Sequence, residues 1–295
     1  MSVMPSSLRR PAAVAALALA ATLAAPAAAQ AHAPAHQPVV AHHHAPFAVR
    51  TTVVPKTAVK TFGGGVIYTP QDTGKPVLGA VVITPGFTDT NADEKEMAEL
   101  VASQGFVAFA IDTLDTGDFP DQRATEILAA ADYLTGQSAV KSEVSANDLA
   151  FLGYSFGGGG TFQAAEARPS VKAAIGLMPF DFPDANDPNA KYASYPKLMT
   201  PTLIITGQKD DVADPKDHGT PMYASIPAGT PKQYLELKGL GHEAGQHVPV
   251  ATIRNAVTAF LKRYLDGNSA YAKFICPAPK AVGPISASYS SCPKG

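Results

Sequence analysis

The chain has 295 residues, with 23 basic against 25 acidic side chains, 46% hydrophobic and only 16% charged residues. The near balance of charge excludes a strong field for nucleic acid or an anionic membrane surface and favours small neutral ligands. The apolar share excludes a largely disordered chain and suits one compact body.

At the N-terminus, Arg9 and Arg10 precede an apolar stretch, Val14 to Leu23, that ends on the small residues Ala27, Ala28 and Ala29. This is the pattern of a secretory signal peptide over residues 1–29. It falls short of the roughly 20 continuous apolar residues a membrane helix needs, as does every later segment. The mature protein is therefore expected to be secreted, extracellular or periplasmic, without a membrane or nucleic-acid partner, and monomeric. Residues 30–57 are rich in Ala, Pro and His, with His32, His36, His42, His43 and His44 close together. Clustered imidazoles can ligate zinc or copper, but no Cys or carboxylate joins them, and the segment lacks a core-forming period. It is read as a flexible lead, with no metal and no cofactor.

From residue 58 to 295 short β-branched runs alternate with amphipathic stretches. The pattern predicts strands over Ala80–Thr84, Phe106–Asp112, Leu149–Gly153, Ala173–Met178, Thr202–Thr206 and Gln233–Leu237. Helices are predicted near Asp93–Gln104, Gln122–Thr135, Phe156–Arg168, His218–Ser225 and Pro249–Leu265. Met97, Leu100 and Val101 form one apolar stripe at helical spacing, and Ile127, Leu128, Ala131 and Leu134 form another. Such alternation builds a single α/β domain with a doubly wound, mostly parallel sheet and no large cap. Ligands in such sheets bind beyond the carboxyl ends of the strands, so reactive residues are sought just after strands.

Gly153-Tyr154-Ser155-Phe156-Gly157 matches G-x-S-x-G and stands between a predicted strand and a predicted helix, the context in which that motif presents a nucleophilic serine on a tight turn. Ser155 is expected to sit exposed on that turn, where a side chain at either flanking glycine would collide. A serine hydroxyl needs a base, and in this fold the partners follow in the order Ser, Asp or Glu, His. His242 lies directly after the last predicted strand, whereas His218 opens a helix and His247 lies deeper in the loop. His242 is the candidate base. For the acid that orients it, Asp210, Asp211 and Asp214 cluster after the strand Thr202–Thr206, and spacing does not separate the first two. The oxyanion needs preorganised donors, supplied by the amide after the nucleophile and by one after an earlier strand. Those positions are Phe156 and, in Pro85-Gly86-Phe87-Thr88, Phe87, with both rings expected to line the cleft.

Cys276 and Cys292 are the two cysteines of the chain. In an oxidising compartment such a pair closes, and one disulfide is expected, restricting the unfolded chain by roughly 3 kcal/mol.

With these residues in place, the stretch from about Gly63 to Cys292 resembles the bacterial polyesterase-lipase-cutinase family, which includes cutinases and poly(ethylene terephthalate) hydrolases. The likeness rests on Thr84-Pro85-Gly86-Phe87, Ala102-Ser103-Gln104-Gly105-Phe106, Ala130-Ala131-Asp132-Tyr133-Leu134, Ser155 with the glycines after it, Thr200-Pro201-Thr202-Leu203-Ile204 and Leu261-Lys262-Arg263. The resemblance implies an α/β-hydrolase fold, with Ser155, Asp210 and His242 as a catalytic triad, so it decides between Asp210 and Asp211. It further implies Phe87 and Phe156 as oxyanion amides and Cys276–Cys292 as the tail disulfide. Tyr154, Phe156 and Phe180 depart from the family's usual His or Trp, Met and Trp, and the loop Asp181–Met199 is longer. That loop holds Asp181, Asp184 and Asp187, which are expected to put negative charge on the rim of the cleft.

The sequence thus points to a secreted serine hydrolase of carboxylic esters, with short-acyl esters first, aliphatic polyesters next and poly(ethylene terephthalate) slowly. Phe87, Phe156 and Phe180 are its expected substrate-binding residues. A dienelactone-type hydrolase usually has Cys in place of Ser155, and a peptidase needs a pocket for an amine leaving group. A binding protein that has lost turnover is expected to lack a triad member.

Overall fold

The computed structural model describes residues 46–246 and 250–292. The predicted signal peptide, the histidines from His32 to His44 and His247 lie outside them. Among the described residues, nine strands form one sheet in the order β1-β2-β4-β3-β5-β6-β7-β8-β9. The six central strands are β3 (Leu78–Thr84), β4 (Val107–Ile111), β5 (Val144–Tyr154), β6 (Ala173–Leu177), β7 (Thr202–Gly207) and β8 (Lys232–Leu237), and neighbours among them run parallel. They coincide with the six predicted strands. Three antiparallel strands flank them: β1 (Val49–Val54) and β2 (Gly65–Pro70) on one side and β9 (Ile285–Ser291) on the other.

The strand β1 corrects the boundary drawn at residue 58, because Val49–Val54 pairs along its whole length with β2. Its run of valines and threonines is a β-former, and its position beside a histidine-rich stretch disguises it.

The parallel strands are buried on both faces, as their near-continuous apolar runs require. Alternate residues serve opposite sides: Val82, Phe109 and Phe151 pack with α2 (Pro120–Gly136) and α3 (Phe156–Ala167). Val81, Ile83 and Leu152 pack with α1 (Lys95–Ser103) and α5 (Ala251–Tyr264). The short α4 (Gly219–Ser225) places Met222 on the first face. In α1 the predicted stripe of Met97, Leu100 and Val101 is buried. In α2, Ile127, Ala131 and Leu134 are buried, and Leu128 sits partly covered at the margin.

Cys276 and Cys292 form a disulfide with Cα atoms 5.6 Å apart. It ties the end of β9 to the segment that leaves the turn Ser269–Phe274. No described helix is long and apolar enough to cross a membrane.

Candidate active site

Every predicted site residue lies where a parallel strand ends. Ser155 follows β5 and precedes α3, with φ 51° and ψ −119°, a left-handed conformation that a serine adopts only under constraint. The two motif glycines explain how the turn closes. A Cβ on Gly153 would fall on the Gly157 carbonyl, and one on Gly157 would fall on the Thr84 carbonyl of β3. The turn is more enclosed than expected: Ser155 is 5% exposed, not open on the surface, because His242 lies against its Oγ.

His242 opens a turn, His242–Gly245, that follows β8. Its Nε2 lies 2.9 Å from Ser155 Oγ and its Nδ1 lies 2.8 Å from Asp210 Oδ2. Asp210, beyond β7, is buried, and its Oδ1 accepts the amides of Val212 at 3.0 Å and Ala213 at 2.7 Å. Two backbone donors thus hold the carboxylate that faces the imidazole, while Asp211 points to solvent and Asp214 caps its own turn through the Lys216 amide. This arrangement can hold the imidazole with Nε2 toward the hydroxyl and take up a proton from it. Beneath the imidazole, the Tyr154 ring packs 5.1 Å from the His242 ring and its hydroxyl points at the His242 carbonyl, 3.4 Å away. Burial pushes the Tyr154 phenol well above its ordinary range, so it stays neutral beside the site.

Phe156 is the first residue of α3, where an amide has no acceptor within the helix. Phe87 lies in the loop after β3, next to Thr88, a second left-handed residue at φ 67° whose amide donates to the Thr116 carbonyl at 2.9 Å. That loop is held from below. Arg123 of α2, fully buried, donates from Nη1 to the Pro85 carbonyl at 3.0 Å, from Nη2 to Thr116 at 2.8 Å and from Nε to Asp118 at 2.8 Å. Three backbone carbonyls from the two loops bordering the cleft thus converge on one guanidinium. Beside it, both carboxyl oxygens of Glu126 lie 3.2 Å from the Leu114 amide. Burial, with a hydrogen bond to Asp118, lifts the Glu126 carboxyl to about 8.

Rings gather next to Ser155. Phe156 is central: its centroid lies 5.3 Å from Phe87 and 5.1 Å from Phe180. Three further residues were not anticipated. Phe119 and Phe182 also touch Phe156, and the His218 ring lies tilted against Phe180, with centroids 4.2 Å apart. Burial lowers the His218 imidazole below its usual range, and its Nδ1 has no hydrogen-bond partner. The sequence carries one sign for these two phenylalanines: each stands directly before a proline in a loop, and the structure leaves both rings exposed by half.

Of the three loop aspartates expected to put negative charge on the rim, one departs from that expectation. Asp181 is buried and accepts from Gln163 at 2.8 Å, Tyr195 at 2.5 Å and its neighbour's amide at 2.8 Å, and burial raises its carboxyl. It pins the long loop instead of facing the cleft. Asp184 and Asp187 are exposed and accept from the amides of Asn186 and Asn189, closing local turns. Among the described residues, no three His, Cys, Asp or Glu side chains gather as a metal would require.

The geometry has parallels in known proteins. A family model described as PET hydrolase-like matches residues 23–293. The bis(hydroxyethyl) terephthalate hydrolase of Streptomyces coelicolor is 40% identical over 250 residues, covering 85% of this chain and 77% of its own. Cutinase 1 of Thermobifida cellulosilytica is 38% identical over 252 residues, covering 84% of this chain and 92% of its own. A cutinase of Thermobifida fusca is 38% identical, covering 84% and 80%. The chain belongs to the PET hydrolase-like family and is a carboxylic ester hydrolase with the α/β-hydrolase fold.

Proposed function

We propose that Ser155 is the nucleophile of this hydrolase, His242 its general base and acid, and Asp210 the carboxylate that orients the imidazole. The observation that carries the reading is the position of one imidazole, 2.9 Å from Ser155 Oγ and 2.8 Å from a buried carboxylate oxygen. Ser155 Oγ bonds to the ester carbonyl carbon as its proton passes to His242 Nε2, and the carbonyl electrons move to oxygen. The Phe87 and Phe156 amides receive that oxyanion. Collapse breaks the carbon–oxygen bond to the alcohol, which leaves with the proton from His242. Water then attacks the acyl-enzyme, giving its proton to His242, and the second collapse returns the proton to Ser155 and frees the carboxylic acid.

The substrates are small neutral esters that fit an aromatic cleft: short-acyl esters and terephthalate diesters such as that named for the Streptomyces coelicolor relative, then aliphatic polyesters, with poly(ethylene terephthalate) slowest. Phe87, Phe156 and Phe180 provide the apolar contact. The protein works outside the cytoplasm as a monomer, exported by residues 1–29, and its disulfide suits that compartment.

Hydrolysis of p-nitrophenyl butyrate by wild type and Ser155→Ala, each checked for folding by circular dichroism, tests this. Loss of turnover in a folded variant is expected. A folded variant that keeps most of its activity would overturn the assignment.

A further inference from the structure

Phe119 and Phe182 approach the cleft from opposite banks, yet they meet. Phe119 is the last residue before α2 and Phe182 lies in the loop after β6. Their rings stand edge to face, with centroids 5.5 Å apart and planes at 87°. Each also rests against Phe156, at 5.9 Å for Phe119 and 5.6 Å for Phe182, so three rings close a triangle on the residue next to Ser155. Phe180 braces the far bank, 5.2 Å from Phe182. Phe87 and Phe180 both touch Phe156 but, among the described residues, not each other. At Phe156 the two banks are thus joined by rings on the side of Phe119 and Phe182, whereas Phe87 and Phe180 reach it separately.

A polyester cut in mid-chain has to enter the groove and leave it again, with units running on from both sides of the scissile ester. A chain end, or a diester with a single acyl unit, needs only one opening. Edge-to-face pairs are favoured over separated rings, and apolar surface is exposed to water when they part. Threading a chain between Phe119 and Phe182 therefore carries a penalty that a chain end does not meet. Both rings are about half exposed, 51% and 47%, so they present a surface to a ligand in the groove and are not core packing alone.

We propose that Phe119 and Phe182 are specificity-determining residues that end the groove beside Ser155, so that the enzyme takes single-unit diesters and cleaves polyesters from their chain ends. The inference rests on Ser155 being the nucleophile, and it adds which esters of a polymer reach it.

Poly(ε-caprolactone) distinguishes the two modes of cutting, because scission inside a chain lowers the average molar mass steeply for each bond cut, whereas removal of end units barely lowers it. The measurement is molar mass by size-exclusion chromatography against acid released by titration, for wild type, Phe119→Ala, Phe182→Ala and the double variant. Each value is taken per bond cut, so it is independent of overall rate. Wild type is expected to release monomer with little loss of molar mass, and the double variant to lose molar mass per bond cut roughly tenfold faster. A wild-type enzyme that already follows random scission would overturn the proposal, whether or not the variants fold. So would an active double variant that keeps the wild-type ratio. Failure of the underlying reading looks different: Ser155→Ala would then still release acid from the polymer.

Discussion

The guanidinium of Arg123 donates to the carbonyl of Pro85 at 3.0 Å, two residues before Phe87, and so fastens the loop of one candidate oxyanion amide to a helix. The same side chain holds Thr116, whose carbonyl also receives the Thr88 amide. Arg123→Met removes every donor at once and leaves the Pro85 and Asp118 carbonyls without this partner, while Thr116 keeps the Thr88 amide, at a cost of about 1–3 kcal/mol for each that water fails to reach. A displaced Phe87 amide is expected to lower kcat by roughly 10²-fold with little change in KM. Arg123→Lys restores one donor and should recover part of the loss. Steady-state kinetics on folded variants checks this, and a wild-type kcat in Arg123→Met would contradict it.

Glu126 gives the fold a pH dependence of known sign. Its carboxyl titrates near 8 in the folded protein because it is buried, and near 4.5 when unfolded. Between those values the folded state binds the extra proton, so stability is fully present below pH 4.5 and falls as pH rises toward 8. Glu126→Gln keeps an acceptor for Leu114 and a donor for Asp118 but cannot ionise. Melting curves from pH 5 to 9 should show the variant gaining on wild type as pH rises, by several degrees at pH 9. A constant difference between the two proteins across that range would refute the assignment.

Asp210 and Asp211 are neighbours with different duties. Asp210→Asn leaves an amide that can face the imidazole in the wrong tautomer, and kcat is expected to fall by roughly 10⁴-fold. Asp211 is exposed, and Asp211→Asn is expected to stay within about threefold of wild type, since surface changes away from special features cost little. Kinetics of the two variants with p-nitrophenyl butyrate decides the matter. Equal losses would undo the choice of Asp210.

The Cys276–Cys292 bridge closes a loop with a sequence separation of 16 and anchors β9, an edge strand outside the cleft. Cys292→Ser with Cys276→Ser is expected to cost about 3 kcal/mol, or roughly 6–12 °C in Tm, with turnover at 25 °C retained. Scanning calorimetry and an activity assay on the double variant measure both. An unchanged Tm would show that the bridge does not restrain the fold.

The central strands were legible because buried parallel strands are written as unbroken apolar runs, such as Ala80–Thr84 and Thr202–Thr206. The flanking strands were not. β9, Ile-Ser-Ala-Ser-Tyr-Ser-Ser, buries only its first residue, and β2 lies among Gly63, Gly64, Gly65 and Pro70, which read as turn punctuation. In the site, Ser155 was legible from a local motif whose glycines are demanded by sterics. Spacing did not choose between Asp210 and Asp211, because the turn after β7 aims adjacent side chains in different directions; the resemblance favoured Asp210, the carboxylate that the Val212 and Ala213 amides hold. Phe119 and Phe182 escaped because their meeting is a tertiary contact between loops of unrelated sequence, with no period to announce it.

The most direct measurement on the central claim is the site of reaction with a fluorophosphonate, which phosphonylates only a serine activated by its base. Wild type should gain one adduct, located by peptide mass spectrometry on the segment containing Ser155, and His242→Ala should react far more slowly. Folded Ser155→Ala should gain none. An adduct on another serine, or labelling of Ser155→Ala at the wild-type rate, would contradict the assignment of Ser155 as nucleophile.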